Sequence, residues 1–246
     1  MYHSSVQTNP SQPQAGQPMT LRLTVQDESG RAVPELAHSH EKPMHLMIVS
    51  TDLHHFAHVH PVADGDGFRL EHTFEEGGEY LLVVDYQQPG RGQIVDRHRV
   101  HVEGAVKRPA EVLAKSPLRQ RVDGLELALK IEGELHAGEG AMLHFDATDA
   151  ETGLPVADLE LYLGAKAHFM VLSADGEDFV HVHALEDAQT ASRVSAHAVF
   201  PRPGLYKLWA QMQRRGAVVT VPFVLRVGTA RPGANHHSGG HAHHKH

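Results

Sequence analysis

Eight residues, in two sets of four, have the side chains and the spacing to hold a metal ion. The first set is His45, Met47, His58 and His60; the second is His168, Met170, His181 and His183, each displaced from its counterpart by 123 positions. An imidazole offers a nitrogen lone pair and a methionine a thioether sulfur. Together they suit a soft or borderline ion, copper above all and Cu(I) in particular, whereas imidazoles alone also suit zinc or nickel. No Asp or Glu recurs beside both sets, which argues against a hard-cation site and against paired acid–base catalysis. The expectation is a binding protein rather than an enzyme, with copper, as Cu(I) or Cu(II), bound at one His/Met patch per repeat.

Four side chains reach one ion only if the chain between them folds back with the right register. In the second set, Ser173-Ala174-Asp175-Gly176-Glu177-Asp178 carries Asp-Gly, the pair favoured in a two-residue type I′ hairpin. Counting outward from that turn pairs Ala174 with Glu177, Leu172 with Phe179, Met170 with His181, and His168 with His183. Side chains alternate faces along a strand, so the last four project from one side of the sheet, while Phe169, Val171, Val180 and Val182 form the core face. The same register in the first set pairs Met47 with His58 and His45 with His60, leaving Leu46, Ile48, Ala57 and Val59 for the core. Asp52-Leu53 is a poorer turn than Asp-Gly, and an odd change in loop length there flips the faces.

A plainer reading stands beside this one. His-x-His on a strand arises by chance, surface histidines need no function, and Met47 and Met170 are each more often packing residues than ligands. Against it, the chain has 23 histidines, six of them from His236 onward, and among the rest only three positions recur in both repeats. His38, His40, His54, His55, His72, His98 and His101 have no counterpart. Those retained are the ones that converge on one face, which favours the metal reading. His38-Ser39-His40-Glu41 offers extra ligands from a loop, and His98 and His101, three apart on a strand, point to opposite faces.

Beyond these sets the chain reads as all-β. Leu21, Leu23 and Val25 alternate with polar residues, as do Leu125, Leu127, Leu129 and Ile131, and Gly-, Pro- and Asp-rich turns recur without any helical period. Short strands at regular spacing predict two tandem antiparallel β-sandwich domains, 19–104 and 118–228. Residues 1–18, rich in Ser, Gln, Pro and Asn, are expected to be a flexible segment, 105–117 a linker with one short helical turn at 110–115, and 229–246 a flexible histidine-rich tail. Tyr80 and Tyr206, each two residues after a glycine, fit the buried corner tyrosine of a sandwich. Trp209, the only tryptophan, is expected in the core at the place of Val83.

Composition narrows the classes further. With 41% hydrophobic and 21% charged residues the chain is ordinary for a globular protein, and no apolar run reaches the roughly 18 residues of a membrane span. A formal charge of −8 with scattered Lys and Arg argues against nucleic acid. The absence of cysteine excludes disulfides and thiolate ligands and fits an exported protein. No signal-peptide pattern opens the sequence, so the expectation is a cytosolic protein or a mature exported one.

The Met44–Ser50 strand with its His-Leu-Met-Ile-Val-Ser, the block Asp52-Leu53-His54-His55-Phe56-Ala57-His58-Val59-His60-Pro61, and the corner Phe74 to Tyr80 resemble small exported Ig-like or cupredoxin-like domains. These are similar to the YtkA-like and CopC-like modules encoded near bacterial copper and heavy-metal efflux systems. The resemblance covers both repeats, although the second has Ala184 in place of the proline. It implies periplasmic or secreted metal handling, for sequestration or for delivery to an efflux or delivery protein. The rival expectation is a structural or protein-interaction sandwich whose histidines decorate a surface, and a third is a metal-dependent enzyme.

Overall fold

The computed structural model describes residues 1–106, 117–185 and 190–231, apart from the side chains of His181 and His183. The expected linker falls outside the described residues over 107–116, including the expected helical turn, as does the histidine-rich end from 232. Every regular element among the described residues is a β-strand. One compact unit contains β1 (His3–Asn9), β2 (Pro18–Gln26), β3 (Met44–Ser50), β4 (Phe56–Val59), β5 (Val62–Asp64), β6 (Gly67–Thr73), β7 (Gly78–Gln88) and β8 (Gly92–Val102). The other contains β9 (Arg119–Val122), β10 (Leu125–Ile131), β11 (Gly140–Asp149), β12 (Leu159–Glu160), β13 (His168–Ser173), β14 (Phe179–His183), β15 (Arg193–Val199), β16 (Gly204–Arg214) and β17 (Ala217–Val227).

Each unit is an antiparallel sandwich. In the first, the sheet β1-β2-β6-β5 faces the sheet β4-β3-β7-β8, and Leu21, Leu23, Phe68, Leu46, Ile48 and Leu82 fill the space between them. In the second, β9-β10-β11-β15 faces a sheet in which β16 pairs with β12, β13 and β17, and β13 with β14; Leu127, Phe145, Phe169, Val171, Leu208 and Phe223 are its interior. Phe145 and Phe169 stack with ring centroids 4.4 Å apart. Burying one face of every strand is what period-two alternation encodes. The two corner tyrosines sit as expected, Tyr80 donating from its hydroxyl to the Glu76 carbonyl at 3.0 Å and Tyr206 to the Arg202 carbonyl at 2.9 Å.

Three expectations need correction. Residues 3–9 are not a flexible segment but β1, antiparallel to β2 with His3 opposite Gln26 and Asn9 opposite Thr20. β1 stands where β10 stands in the second unit, yet only Tyr2 and Val6 supply apolar contact with the core. An edge strand can be this polar because the backbone ladder and specific hydrogen bonds hold it. Here the Ser4 amide donates to Asp96 Oδ2 at 2.6 Å, and Ser4 Oγ and His98 Nε2 lie 2.9 Å apart.

Trp209 is buried but does not belong to the sandwich interior. On β16 the residues that enter the core are Tyr206, Leu208, Ala210 and Met212, so alternation sends Trp209 to the other face, in register with Met170. Lys207 Nζ lies 5.9 Å from the Trp209 ring centroid.

The β13–β14 turn is not a two-residue type I′ turn. Gly176 takes φ +77° while Asp175 does not enter the left-handed region. The Gly176 amide donates to the Ser173 carbonyl and the Asp178 amide lies across from Ser173, whose own amide donates to the Asp178 carbonyl at 2.9 Å. The result is a four-residue loop that preserves the expected register, with Leu172 opposite Phe179 and Met170 opposite His181. Its stability comes from a serine and an aspartate: Ser173 Oγ donates to Asp175 Oδ1 at 2.5 Å and accepts from the Asp178 amide at 2.9 Å.

The β3–β4 connection repeats this device. Ser50 Oγ donates to Asp52 Oδ1 at 2.6 Å and accepts from the His55 amide at 2.8 Å, and Leu53 adopts φ +60° where the second unit has glycine. The loop is the same length in both repeats, so the faces are not flipped and Met47 lies opposite His58. Because Ser50 is buried and serves two donors and one acceptor, Ser50→Ala is expected to destabilise the first unit by about 1–3 kcal/mol. Denaturant unfolding followed by circular dichroism checks this; an unchanged midpoint would remove the serine from its role in the turn.

Candidate metal centre

The first repeat builds a convergent site from three short elements. β3 carries His45, β4 carries His58, and His60 follows β4 by one residue. His45 Nδ1 lies 3.0 Å from His58 Nε2 and 3.1 Å from His60 Nε2. The His45 and His58 rings stack with centroids 5.2 Å apart, and His60 stands edge-on to His45 at 4.8 Å. One nitrogen from each ring lies within 4.8 Å of the others, the three-histidine arrangement among the described residues that could hold a metal ion. His45 and His58 are buried and His60 partly so.

The orientation of His45 is set from outside the hairpin. Its Nε2 lies 2.9 Å from the Ser39 carbonyl oxygen. A carbonyl only accepts, so Nε2 carries the proton and Nδ1 is the lone-pair nitrogen of the neutral ring. Burial pushes the His45 pKa down; the Ser39 carbonyl and the Asp85 carboxyl pull the other way. This is the pattern of a metal-ligating histidine whose second nitrogen is tied to a carbonyl.

Ser39 itself ends a tight turn. The Ser39 amide donates to the Lys42 carbonyl at 2.9 Å and the Lys42 amide to the Ser39 carbonyl at 3.1 Å, with His40 at φ +48° and Glu41 at φ +65° between them. Two successive left-handed residues make a type I′ turn, for which non-glycine residues cost about 1 kcal/mol or more each. His40, expected in a loop, lies in this turn with its ring 6.3 Å from that of His45.

The second repeat keeps this support. His168 Nε2 lies 2.8 Å from the carbonyl oxygen of Tyr162, the residue 123 positions after Ser39, and Leu163 and Gly164 adopt φ +50° and +77°. His168 and Met170 are buried on the face away from the core. The β13–β14 register sets His183 opposite His168 and His181 opposite Met170. The side chains of His181 and His183 lie outside the described part of the structure.

Three imidazoles with one nitrogen each brought together can bind a transition metal through their lone pairs. A tetrahedral ion with metal–nitrogen bonds of 2.0–2.1 Å separates its ligand nitrogens by about 3.3 Å. The separations of 3.0 and 3.1 Å from His45 Nδ1 are within a few tenths of an ångström of that value. Met47 is buried, on the His45 face of β3 and opposite His58 in the strand pair.

Two participants were not visible as such in the sequence. The Ser39 carbonyl is a backbone group whose signal is the Tyr162–Gly164 turn at the same offset of 123. Asp85, buried on β7 in register with His45, has no acidic counterpart in the second repeat. Long-range proton–nitrogen NMR is expected to find the His45 proton on Nε2. A proton on Nδ1 would mean that the lone pair is not presented to His58 and His60.

The profile of a family described as a domain of unknown function, DUF8832, matches residues 2–104 and again 120–229. No curated protein matches the chain. Among solved structures, the chain is similar to the Escherichia coli adhesin FdeC at 16% identity, over 92% of this chain and 64% of that one, with a TM-score of 0.31. It is also similar to fibronectin(III)-like modules of Clostridium thermocellum CbhA, at 12% identity over 99% and 100% of the two chains, with a TM-score of 0.25. Domains 4 and 5 of the S-layer protein SbsC match at 13% identity over 93% and 98%, also at 0.25.

Proposed function

We propose, for a chain that belongs to the DUF8832 family, that each repeat is a β-sandwich binding module for a transition metal ion, copper by preference. The observation that carries this reading is the meeting of His45 Nδ1, His58 Nε2 and His60 Nε2, with the Ser39 carbonyl fixing the His45 tautomer. Three imidazoles accept zinc, nickel or copper, and Met47 as a fourth, soft ligand shifts the preference to copper. His168 and Met170, with His181 and His183 in register, form the corresponding set in the second repeat. The role is binding, as sequestration or delivery, and not turnover. An exported location and an efflux or delivery protein as partner belong to the same proposal.

A second reading is a structural or interaction module without a metal. It is favoured by one observation: the three rings already hydrogen-bond to one another and to Ser39, so the buried nitrogens of His45 are satisfied as they stand. The descriptions of the similar solved structures agree with it, although likenesses at those TM-scores decide nothing between the two.

The two readings separate with Co(II) as an optical probe on the full chain, since tetrahedral coordination gives intense visible bands and octahedral coordination only weak ones. The His58→Ala, His60→Ala double variant is expected to lose one equivalent of tight Co(II) and of Cu(I) relative to the parent, with His60→Ala alone weakening both by about tenfold or more. Unchanged binding, with only a lower unfolding midpoint, would establish the histidines as a structural network.

A further inference from the structure

Among the described residues, the clusters around His144 and His55 do not converge. His144 stands between Ser195 Oγ and Glu132, each at 2.8 Å, and His55 between Glu75 and Glu76, each at 3.7 Å. In both cases the partners occupy opposite nitrogens of one ring, leaving no shared point for an ion or a reacting atom. Asp85 differs, because it brings a formal charge to the edge of a site already built.

Asp85 is directly across β7 from His45, with only 4% of its surface exposed, and accepts a hydrogen bond from Gln93 Nε2 at 2.9 Å. Burial pushes its pKa up, while the Gln93 hydrogen bond and the neighbouring His45 and His40 pull it down. A carboxylate buried beside such a site acts on a bound ion through surroundings less polarisable than water, where charge interactions are stronger. In the second repeat the same position, in register with His168, is Gln211, equally buried and donating from Nε2 to Thr220 Oγ1 at 3.0 Å. The repeats thus keep the histidine and its carbonyl support but exchange a carboxylate for an amide beside it.

We propose that Asp85 makes the first-repeat site selective for a divalent ion, Zn(II) or Cu(II), over Cu(I), and that Gln211 leaves the second repeat without this charge. The inference rests on the metal reading of His45, His58 and His60. The attraction to Asp85 scales with the charge of the ion, so losing the carboxylate weakens a divalent ion twice as much, in free energy, as a monovalent one. Asp85 acts here as a charge that tunes specificity, not as a required ligand.

The test is chelator competition with Zn(II) and with Cu(I) on the full chain, site occupancy being read from the ring-proton signals of His58 and His60. Asp85→Asn and Asp85→Gln, the latter copying the second repeat, are expected to weaken Zn(II) by about tenfold or more and Cu(I) by less than about threefold. Equal losses for both ions, or no loss for either while His58→Ala, His60→Ala abolishes both, would overturn the role of Asp85 and leave the site standing. Unchanged binding in the double histidine variant would overturn the site itself.

Discussion

The hydrogen bond from His45 Nε2 to the Ser39 carbonyl is the constraint on which the site depends. Without it the buried ring is free to present either nitrogen, and the lone pair that His58 and His60 approach has no fixed direction. The bond is local in sequence, six residues apart, but it requires two left-handed residues in succession at His40 and Glu41. A backbone in that conformation holds only when its surroundings over-determine it. The paired Ser39 and Lys42 hydrogen bonds and the adjoining β3 supply the restraint. Tyr162 and His168 repeat the arrangement although their turn residues differ, Leu163 and Gly164 replacing His40 and Glu41. What the two repeats share is therefore a backbone geometry directed at one histidine.

Register is the second condition, and it has its own device. A slip of one residue between β3 and β4 would send His58 into the core and Val59 to the site. The Ser50–Asp52 and Ser173–Asp175 hydrogen bonds close four-residue loops of equal length and exclude that slip. The second unit meets the left-handed requirement with Gly176, whereas the first places Leu53 there and buries its side chain, so that apolar burial offsets the backbone cost.

Much of this was legible in the sequence, for definable reasons. Alternation marked the core faces of β2, β3 and β10, and the offset of 123 joined His45 to His168, so the facing of His45, Met47 and His58 followed from counting. The turn type at Asp175-Gly176 was misread, yet without consequence, because a two-residue and a four-residue loop centred on the same pair give one register. Asp85 and the Ser39 carbonyl were not legible as site components, since β7 joins β3 across more than thirty residues and a carbonyl has no residue type to read. β1 was missed because its ladder is made by the backbone and only Tyr2 and Val6 mark its inner face. Trp209 was misplaced by residue type: a large apolar ring suggested the core, but alternation along β16 assigns it to the opposite face.

The hydrogen bonds among the rings bear on how readily such a site would load. Two N–H groups, on His58 and His60, converge on one acceptor, His45 Nδ1. A metal ion entering there must displace both N–H groups, each proton passing to Nδ1 of its own neutral ring, so loading requires a change of tautomer at His58 and His60. The two separations from His45 Nδ1, 3.0 and 3.1 Å, are already close to those a tetrahedral ion requires, so on that side little conformational entropy is lost when hydrogen bonding gives way to coordination. The metal-free state is thus a satisfied network of nearly the coordinated shape. A site of this design remains folded when empty, and the free energy of metal binding need not be consumed in assembling it.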